Sequence, residues 1–523
     1  KKDMTAGTYP DVRSGLQKLL KDGLLLFNYT GHGGTTALSD EKVLTQTDIN
    51  QFTYTHLPVW VTATCDFTRF DDLNTSAGED VFLNKSSGGI ALFTTVRVAY
   101  SRPNFPINDN VIRNLFERNN GRRRTLGEVM QATKNTLSSV YKLGFCLIGD
   151  PAVKIAYPEF GMKVTTVNGQ SVDGNSISFK ALEKITVEGE VLDASGQLVT
   201  DFTGIVNPTV KDSKVTVTCL KNSNKDDSPA FTFTDYPNTI FIGNDSVRNG
   251  KFSFTFTVPK DISYSNLQGK MNLYAVDTES GNEAQGNFDN FIVGGTSDTA
   301  ETDTIGPEIR ALYLNDTTFV DGGQVNTTPY FVAELWDKSG VNITGSSVGH
   351  DMMLVIDEST VLSYNLNSYY ELLPGEDGTG IVKFPIPALE PGKHTAEFWV
   401  WDILNNSTVR TFTFEVVEGL KPFLFDVIAT PGIAREQVTF HLMHNRPESR
   451  MRVGIMVYDL AGRQLWKHEE SGTSGLFENY TVSWDLTSGG ARMRPGVYIY
   501  RAAISTDNSK DATKARKFII LGE

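Results

Sequence analysis

The feature that most constrains the fold of this chain is a change of pattern near residue 159. From about residue 18 to residue 158, short apolar runs alternate with segments of helical periodicity. From residue 159 onward, helical periodicity gives way to short runs of alternating hydrophobicity among Thr, Ser, Asn, Asp and Gly. The first pattern is typical of a parallel sheet covered by helices, and the second of antiparallel sandwiches. The sequence therefore predicts a multidomain protein, with an α/β part followed by all-β domains.

The α/β part contains three predicted buried strands, and they span residues 24–29, 59–64 and 89–95. The predicted helices span residues 47–52, 76–84, 108–119 and 125–140, and residues 145–151 form a short closing segment. In an open parallel sheet, ligands bind beyond the carboxyl ends of the strands. If the first two strands are neighbours, the loops that follow them lie side by side at that edge.

The all-β part is expected to form three sandwich units. Residues 250–256 with 273–277 resemble residues 380–384 with 398–402, which predicts two copies of one unit joined by the Thr-rich linker 296–304. The predicted domains are 1–158, 159–298, 299–419 and 420–523. Asp277 and Asp402 follow strands in the two copies, and we interpret both as turn formers rather than calcium ligands.

Charge and cysteine usage exclude several classes of protein. The 523 residues include 62 acidic against 48 basic side chains, a net charge of -14, which argues against a nucleic-acid partner. Three cysteines are too few for a disulfide-stapled scaffold. No run reaches the roughly 18 apolar residues of a membrane-spanning helix. Because the chain opens on Lys-Lys-Asp-Met without a signal peptide, we expect a further N-terminal part.

His32 and Cys65 are the candidate catalytic residues. His32 lies in the segment Thr-Gly-His-Gly-Gly, residues 30–34, directly after the first predicted strand, and Cys65 directly follows the second. An imidazole beside a thiol takes up its proton, and the thiolate is the nucleophile. The sequence therefore predicts a cysteine peptidase or transpeptidase in which Cys65 attacks and His32 is the base.

The glycines beside His32 predict an oxyanion hole. Glycine permits unusual dihedral angles and close approach of another backbone, so the N–H of Gly33 or Gly34 can act together with the N–H of Cys65. The loop after the third strand should contribute to the substrate pocket, with Val98 and Tyr100 as walls.

Acidic residues follow the candidate nucleophile directly. The carboxylates of Asp66, Asp71 and Asp72 can attract a basic substrate, although solvated loop carboxylates are the more frequent case. We keep Asp66 as the acidic candidate of the pocket.

Other interpretations of these residues are weaker. A buried structural cysteine beside a turn histidine is the simplest alternative for Cys65 and His32. Cys146 and Cys219 lack a comparable setting and are expected to be core thiols. Neither a zinc-ligand spacing nor a Gly-x-Ser-x-Gly elbow occurs in the α/β part, so we expect no metal, no cofactor and no serine nucleophile.

The order Gly-His-Gly, strand ending in Cys65, and Gly-Asp-Pro at residues 149–151 resembles the gingipain family of caspase-like cysteine peptidases. The resemblance covers residues 18–158. It implies a caspase-like fold for the α/β part, with residues 1–158 as the C-terminal portion of the catalytic domain, and an immunoglobulin-like arrangement of the sandwiches. It also implies that His32 and Cys65 form the dyad, and that the acidic residue orienting His32 lies upstream of Lys1.

The last unit resembles the C-terminal signal domains of type IX secretion cargo. The resemblance rests on residues 457–463, Trp484-Asp485, residues 496–501 and residues 514–520. Ala-Thr-Pro-Gly, residues 429–432, stands where such domains usually begin with Pro-Asn-Pro. This departure puts cleavage of the unit in doubt and favours its retention.

Together, the four parts resemble the sortases of type IX secretion. That resemblance implies a cell-surface enzyme, peripherally attached to the bacterial outer membrane, that removes C-terminal signal domains from cargo. It implies transfer of the acyl group from a Cys65 thioester to an amine of anionic lipopolysaccharide, and attachment through the outer-membrane β-barrel PorV and other attachment-complex subunits. A secreted gingipain-like endopeptidase and a catalytically degenerate surface adhesin are the alternatives.

Overall fold

The structure of the chain is a computed structural model. It describes residues 9–52, 54, 56–85, 87–119, 121–220, 229–298, 303–345, 349–373, 378–476, 478–506 and 508–521. The chain separates into two compact units. Unit 1 comprises Lys1–Glu159 with Thr218–Phe231, and unit 2 comprises Phe160–Val217 with Thr232–Glu523.

Unit 1 is an α/β unit built on one four-stranded sheet. Its strands are β1 (Leu26–Thr30), β2 (Val59–Ala63), β3 (Ala91–Thr95) and β4 (Phe145–Ile148). Its helices are α1 (Pro10–Asp22), α2 (Gln46–Gln51), α3 (Ala77–Leu83), α4 (Ser101–Phe116) and α5 (Leu126–Thr136), with a 3-10 turn at Val140–Gly144. Two hairpins of two-residue strands pair Ala37–Leu38 with Leu44–Thr45 and Arg118–Asn119 with Arg122–Arg123.

The strands of unit 1 follow the order β1-β2-β3-β4. The first three strands are parallel neighbours, and β4 closes the edge antiparallel to β3. All residues of β2 and β3 are buried, because helices cover both faces of the sheet. The sheet separates two apolar cores, one around Val61 and Phe93 and the other around Trp60 and Leu92.

Capping boxes set the starts of three helices. Thr45 with Asp48 begins α2, Ser76 with Glu79 begins α3, and Thr125 with Glu128 begins α5. In each box the carboxylate and the N-cap side chain satisfy backbone N–H groups that have no partner inside the helix.

Unit 2 is all β in the part of the chain that the structure describes, apart from one 3-10 turn at Asn367–Tyr369. Its first section contains a nine-stranded sheet. The strands are Phe160–Val167, Gln170–Ser171, Lys184–Leu192, Gly204–Lys211, Thr239–Ile242, Asp245–Arg248, Lys251–Thr257, Lys270–Asp277 and Glu283–Phe288. A smaller sheet joins Ile177–Ala181, Phe291–Thr296 and Leu267–Gln268, and a separate pair joins Val215–Thr218 with Thr232–Asp235.

The large sheet of this first section closes on itself. Phe160–Val167 pairs with Lys184–Leu192 on one side and with Glu283–Phe288 on the other. Closure joins the two edges that an open sandwich leaves apart. An immunoglobulin-like arrangement of this section therefore stays a prediction.

The second section of unit 2 packs two sheets around a shared apolar core. One sheet contains Glu308–Leu314, Tyr330–Trp336, Tyr370–Leu372 and Thr379–Pro385. The other contains Gln324–Val325, Met353–Ile356, Ser363–Asn365, Gly392–Trp401 and Ser407–Val416.

The third section also packs two sheets around its own core. The smaller sheet contains Leu424–Thr430, Val438–His444 and Tyr480–Trp484. The larger contains Ile433–Ala434, Met451–Tyr458, Gln464–Gly472, Gly496–Ser505 and Ala512–Ile520, and a hairpin joins Thr487–Ser488 with Ala491–Arg492. None of the helices that the structure describes is long and apolar enough to cross a membrane.

Several predicted elements differ from the structure. Helix α4 begins at Ser101 rather than at residue 108, because Pro103 and Pro106 make its first turns resemble a loop in sequence. Helix α5 ends at Thr136 rather than at residue 140, where a 3-10 turn follows. Helix α1 was not predicted.

Candidate active site

The loops that carry His32 and Cys65 leave the same edge of the sheet. Strands β1 and β2 pair in parallel, with Thr30 opposite Ala63 in the last register position. His32 and Cys65 each lie two residues beyond that position. The two side chains are therefore presented at the carboxyl end of neighbouring strands, where an open parallel sheet binds its ligands.

Hydrogen bonds to the backbone fix the loop that contains His32. The Tyr29 hydroxyl donates to the carbonyl of His32 at 2.6 Å, and the N–H of Ser39 donates to the same carbonyl at 2.8 Å. The N–H of Gly34 donates to the carbonyl of Ala37 at 3.0 Å. These bonds hold the backbone while the His32 imidazole stays exposed to solvent.

Gly33 joins this loop to the segment that precedes Cys65. A methyl group built on Gly33 would lie 2.4 Å from the Thr64 Oγ1, whereas one built on Gly34 would meet no atom within 4 Å. Real carbon and oxygen atoms do not approach to 2.4 Å, so residue 33 has to be glycine for the two loops to pack. The glycines were expected to allow close approach of another backbone, and at Gly33 the structure shows close approach of the Thr64 side chain.

The thiol of Cys65 is half-buried against the loop that follows β3. Its Sγ donates to the carbonyl of Ala99 at 3.1 Å and accepts from the N–H of Ala99 at 3.4 Å. Within the described residues no hydrogen bond joins the His32 imidazole to the Cys65 thiol, whose hydrogen-bond partner is the Ala99 backbone.

The loops that contain His32 and Cys65 each have one backbone amide that can donate to an oxyanion. Among the described residues, the N–H groups of Gly33 and Cys65 donate no hydrogen bond. The N–H of Gly34 is engaged by Ala37. Of the two glycine amides that the sequence left open, Gly33 is therefore the one that can donate without breaking a bond.

Val98 and Tyr100 flank the Ala99 backbone that contacts the thiol, and both side chains are exposed. The Tyr100 ring stands edge-on to Tyr141, with 5.5 Å between the ring centroids. Tyr141 belongs to the 3-10 turn, which the N–H of Val96 also reaches through a 2.8 Å bond to the Gly144 carbonyl. Tyr141 was not predicted as a site residue, because this contact joins segments that are far apart in the chain.

The acidic residues after Cys65 have different surroundings. Arg97 forms a bidentate pair with Asp71, at 3.0 and 2.6 Å, and this hydrogen bonding lowers the pKa of the Asp71 carboxyl. Asp72 lies 3.6 Å from Arg69. Asp66 adopts a left-handed backbone conformation, and its Oδ1 is buried without a hydrogen-bond partner in the described residues. The three carboxylates are therefore not equivalent, and Asp66 alone lacks an arginine partner there.

The other two cysteines differ from their prediction as core thiols. Cys219 is exposed, so that prediction is wrong for this residue, and Cys146 is only half-buried in β4. Cys219 directly follows the end of a strand, and Cys146 lies in the edge strand β4. Both positions leave a thiol open to solvent even where neighbouring residues are apolar.

Three carboxylates approach one another in unit 2. Oxygens of Asp303, Asp337 and Asp402 lie within 4.8 Å of one another, and the last two side chains are buried. Burial raises the pKa of Asp337 to about 6 and also raises the pKa of Asp402. Asp402 accepts from the N–H groups of Leu404 and Asn406, as expected for a turn former. By ligand type these three residues can hold a divalent cation, and their proximity was not predicted from the sequence.

Comparison with known proteins gives one family and several solved structures. Residues 1–156 match the model of peptidase family C25, and no curated protein matches the chain. Dimeric latent PorU from Porphyromonas gingivalis is 34% identical, with a TM-score of 0.35, and the match covers 99% of this chain and 47% of that chain. The Porphyromonas gingivalis RgpB pro- and mature domains are 19% identical, with 54% and 57% covered and a TM-score of 0.26. The chain thus spans about half the length of these two proteins.

Proposed function

We propose that this chain is a cysteine peptidase in which Cys65 is the nucleophile and His32 its base, and the match of residues 1–156 to peptidase family C25 supports the proposal. The observation that carries the proposal is the parallel pairing of β1 and β2, which brings the loops of both residues to one edge of the sheet. The intact Gly-His-Gly segment, residues 31–33, and the presence of Cys65 speak against a degenerate adhesin.

The proposed reaction begins with proton transfer from Cys65 Sγ to the His32 imidazole. The thiolate attacks the carbonyl carbon of the scissile peptide bond, and the N–H groups of Gly33 and Cys65 receive the oxyanion. The carbon–nitrogen bond then breaks as the imidazolium gives its proton to the leaving amine. An acyl thioester remains on Cys65.

The thioester can be resolved in two ways. Attack by water gives hydrolysis, and attack by an amine gives transpeptidation. We propose the second outcome, with C-terminal signal domains of type IX secretion cargo as substrates and an amine of anionic lipopolysaccharide as acceptor. The support is the signal-like unit of residues 420–523 in this chain and the 34% identity to PorU along 99% of it.

The proposed location follows from the same resemblance. We propose a cell-surface enzyme attached peripherally to the bacterial outer membrane, with PorV and other attachment-complex subunits as partners. A secreted gingipain-like endopeptidase stays the alternative. Mature protein that lacks the residues after about Leu420 would favour that alternative, because the chain would then itself be cargo.

Replacement of Cys65 by alanine in the producing cells tests the proposal. Cargo should accumulate with its C-terminal signal domain uncut, which immunoblotting of cell-surface proteins measures. Cys146→Ala is the matched control, because it removes a second half-buried thiol of the same unit and should leave cargo maturation unchanged. Normal maturation in cells that carry only the Cys65→Ala protein would refute the assignment.

A further inference from the structure

The third section of unit 2 differs in charge from the rest of the chain. Residues 420–523 contain 14 Lys and Arg against 11 Asp and Glu, a net charge of +3. Since the whole chain carries -14, the other 419 residues carry -17. A negatively charged surface therefore repels most of the chain and attracts this section.

The cations and several apolar side chains share one outward face of the larger sheet. Across three neighbouring strands, Ile433 lies opposite Ile519, and Ile519 lies opposite Val497. The exposed fractions of these side chains are 55%, 37% and 41%, and Leu521 beside them is 39% exposed. We call the six residues Ile433, Val497, Arg501, Lys517, Ile519 and Leu521 the basic-apolar face.

Lys517 and Arg501 complete this face. Lys517 lies two residues before Ile519 on its strand, and Arg501 lies four residues after Val497, so alternation along the strands puts both on the outward side. Both side chains are exposed, and neither forms an ion pair with any described residue. By contrast, Arg516 next to Lys517 is paired with Asp426 at 2.9 Å.

The two longest strands of the face contain no carboxylate. Residues 496–505 and 512–520 contain no Asp or Glu. Of their four cations, Arg501 and Lys517 lie on the outward face, whereas Lys514 and Arg516 lie at the alternate strand positions and bond to the Phe425 carbonyl and to Asp426. A contiguous row of exposed aliphatic side chains is unfavourable in water, and unpaired cations beside it have no internal partner to neutralise them. An anionic lipid surface accommodates both the aliphatic side chains and the cations. Head-group phosphates pair with Lys and Arg, and the aliphatic side chains enter the boundary of the acyl region.

We infer that the basic-apolar face docks on an anionic lipid surface through head-group phosphates. The mixture of exposed aliphatic and cationic side chains on one sheet face favours a lipid surface over a folded protein partner, whose interface centre is usually depleted of lysine. A second copy of this chain would have to place two cationic faces together, which like charges oppose. The inference does not depend on Cys65.

Cosedimentation of the full chain with vesicles tests the inference. The probe is a vesicle of equal parts phosphatidylglycerol and phosphatidylcholine, with pure phosphatidylcholine as the neutral comparison. The full chain should bind the anionic vesicles, bind the neutral ones at least about tenfold more weakly, and lose affinity as salt is raised. Cys65→Ala should bind as the unaltered chain does.

Variants of the basic-apolar face separate the contribution of its cations from that of its aliphatic side chains. The double variant Lys517→Glu, Arg501→Glu should weaken binding at least about tenfold, and Ile519→Asn several-fold. Lys393→Glu, at an exposed lysine of the second section, is the matched control and should stay within about twofold. Binding is compared only among variants whose Tm equals that of the unaltered chain, so that unfolding of the section is not mistaken for loss of the face.

Three outcomes would overturn the inference. The first is absence of binding to anionic vesicles by the full chain. The second is equal binding by the double variant and the control. The third is sedimentation of the chain as a dimer without lipid that the double variant converts to a monomer, because the face would then be an interface between copies.

Discussion

At the scale of single residues, the close contact between Gly33 and Thr64 explains why glycine is needed beside His32. The contact holds the loop after β1 against the loop that ends in Cys65, so it fixes the amide that is proposed to receive the oxyanion. Gly34, one residue further, has open space around it. The same substitution at these two adjacent glycines therefore tests the contact with Thr64, because little else differs between the two positions.

Gly33→Ala should lower kcat by roughly 100-fold, the size of effect seen when one oxyanion-hole donor is lost. Gly34→Ala should change kcat by no more than about threefold, since nothing lies near the added methyl group. Hydrolysis of a peptide substrate measures both. Thr64→Ala combined with Gly33→Ala removes the colliding side chain and should restore part of the rate. Equal loss in the two glycine variants would show that the contact with Thr64 does not matter.

At the scale of elements, the carboxylate cluster of the second section gives a prediction on pH. Burial raises the pKa of Asp337 to about 6 from 3.8, so the native state keeps a proton that the unfolded chain has lost. This contribution to stability is complete below about pH 4 and is lost as the pH rises through about 6. The section should therefore be less stable at neutral pH than at mildly acidic pH.

Asp337→Asn should stabilise the second section at neutral pH by on the order of 2 kcal/mol. The asparagine oxygen can still accept from the N–H groups of Ser339 and Gly340, and its amide cannot ionise. Thermal unfolding in the presence of a chelator measures the gain. Glu390→Gln, at an exposed carboxylate, is the neutralising control. A difference in Tm between Asp337→Asn and the unaltered chain that does not grow from about pH 4 to about pH 7 would oppose this explanation.

The elements that the sequence predicts best are those fixed by local pattern. The buried strands of unit 1 and the helices with capping boxes follow from apolar runs and from pairs such as Ser76 with Glu79, which act over a few residues. Contacts between distant segments were not predictable from one sequence. Tyr141 against Tyr100 and the meeting of Asp303, Asp337 and Asp402 are of this kind, because each depends on how whole strands are placed.

The same distinction applies to the candidate site. Glycines beside a histidine and a cysteine at a strand end were visible in sequence, but the pairing of β1 with β2 entered there only as a condition, and the structure shows that the condition is met. The partner of the thiol was not visible, because Ala99 contributes only backbone atoms. Every residue type has the same backbone groups, so the sequence could not single out Ala99. Its neighbours Val98 and Tyr100 were predicted instead, because their side chains can line a pocket.

At the scale of the whole molecule, chemistry and charge lie in different parts of the chain. The proposed dyad belongs to residues 1–156, which match the peptidase family, whereas the net positive charge belongs to residues 420–523. An enzyme that joins an acyl group to an acceptor on a surface gains from a separate attachment region, since attachment raises the local concentration of the acceptor.

The proposed acyl transfer requires an acyl thioester on Cys65. Rapid acid quenching of the full chain with a peptide substrate, followed by intact-protein and peptide mass spectrometry, tests it most directly. The expected result is an added mass equal to the acyl part of the substrate, located on Cys65, removed by hydroxylamine and absent in Cys65→Ala and His32→Ala. An adduct on Cys146 or Cys219, or unchanged turnover by Cys65→Ala, would contradict the claim.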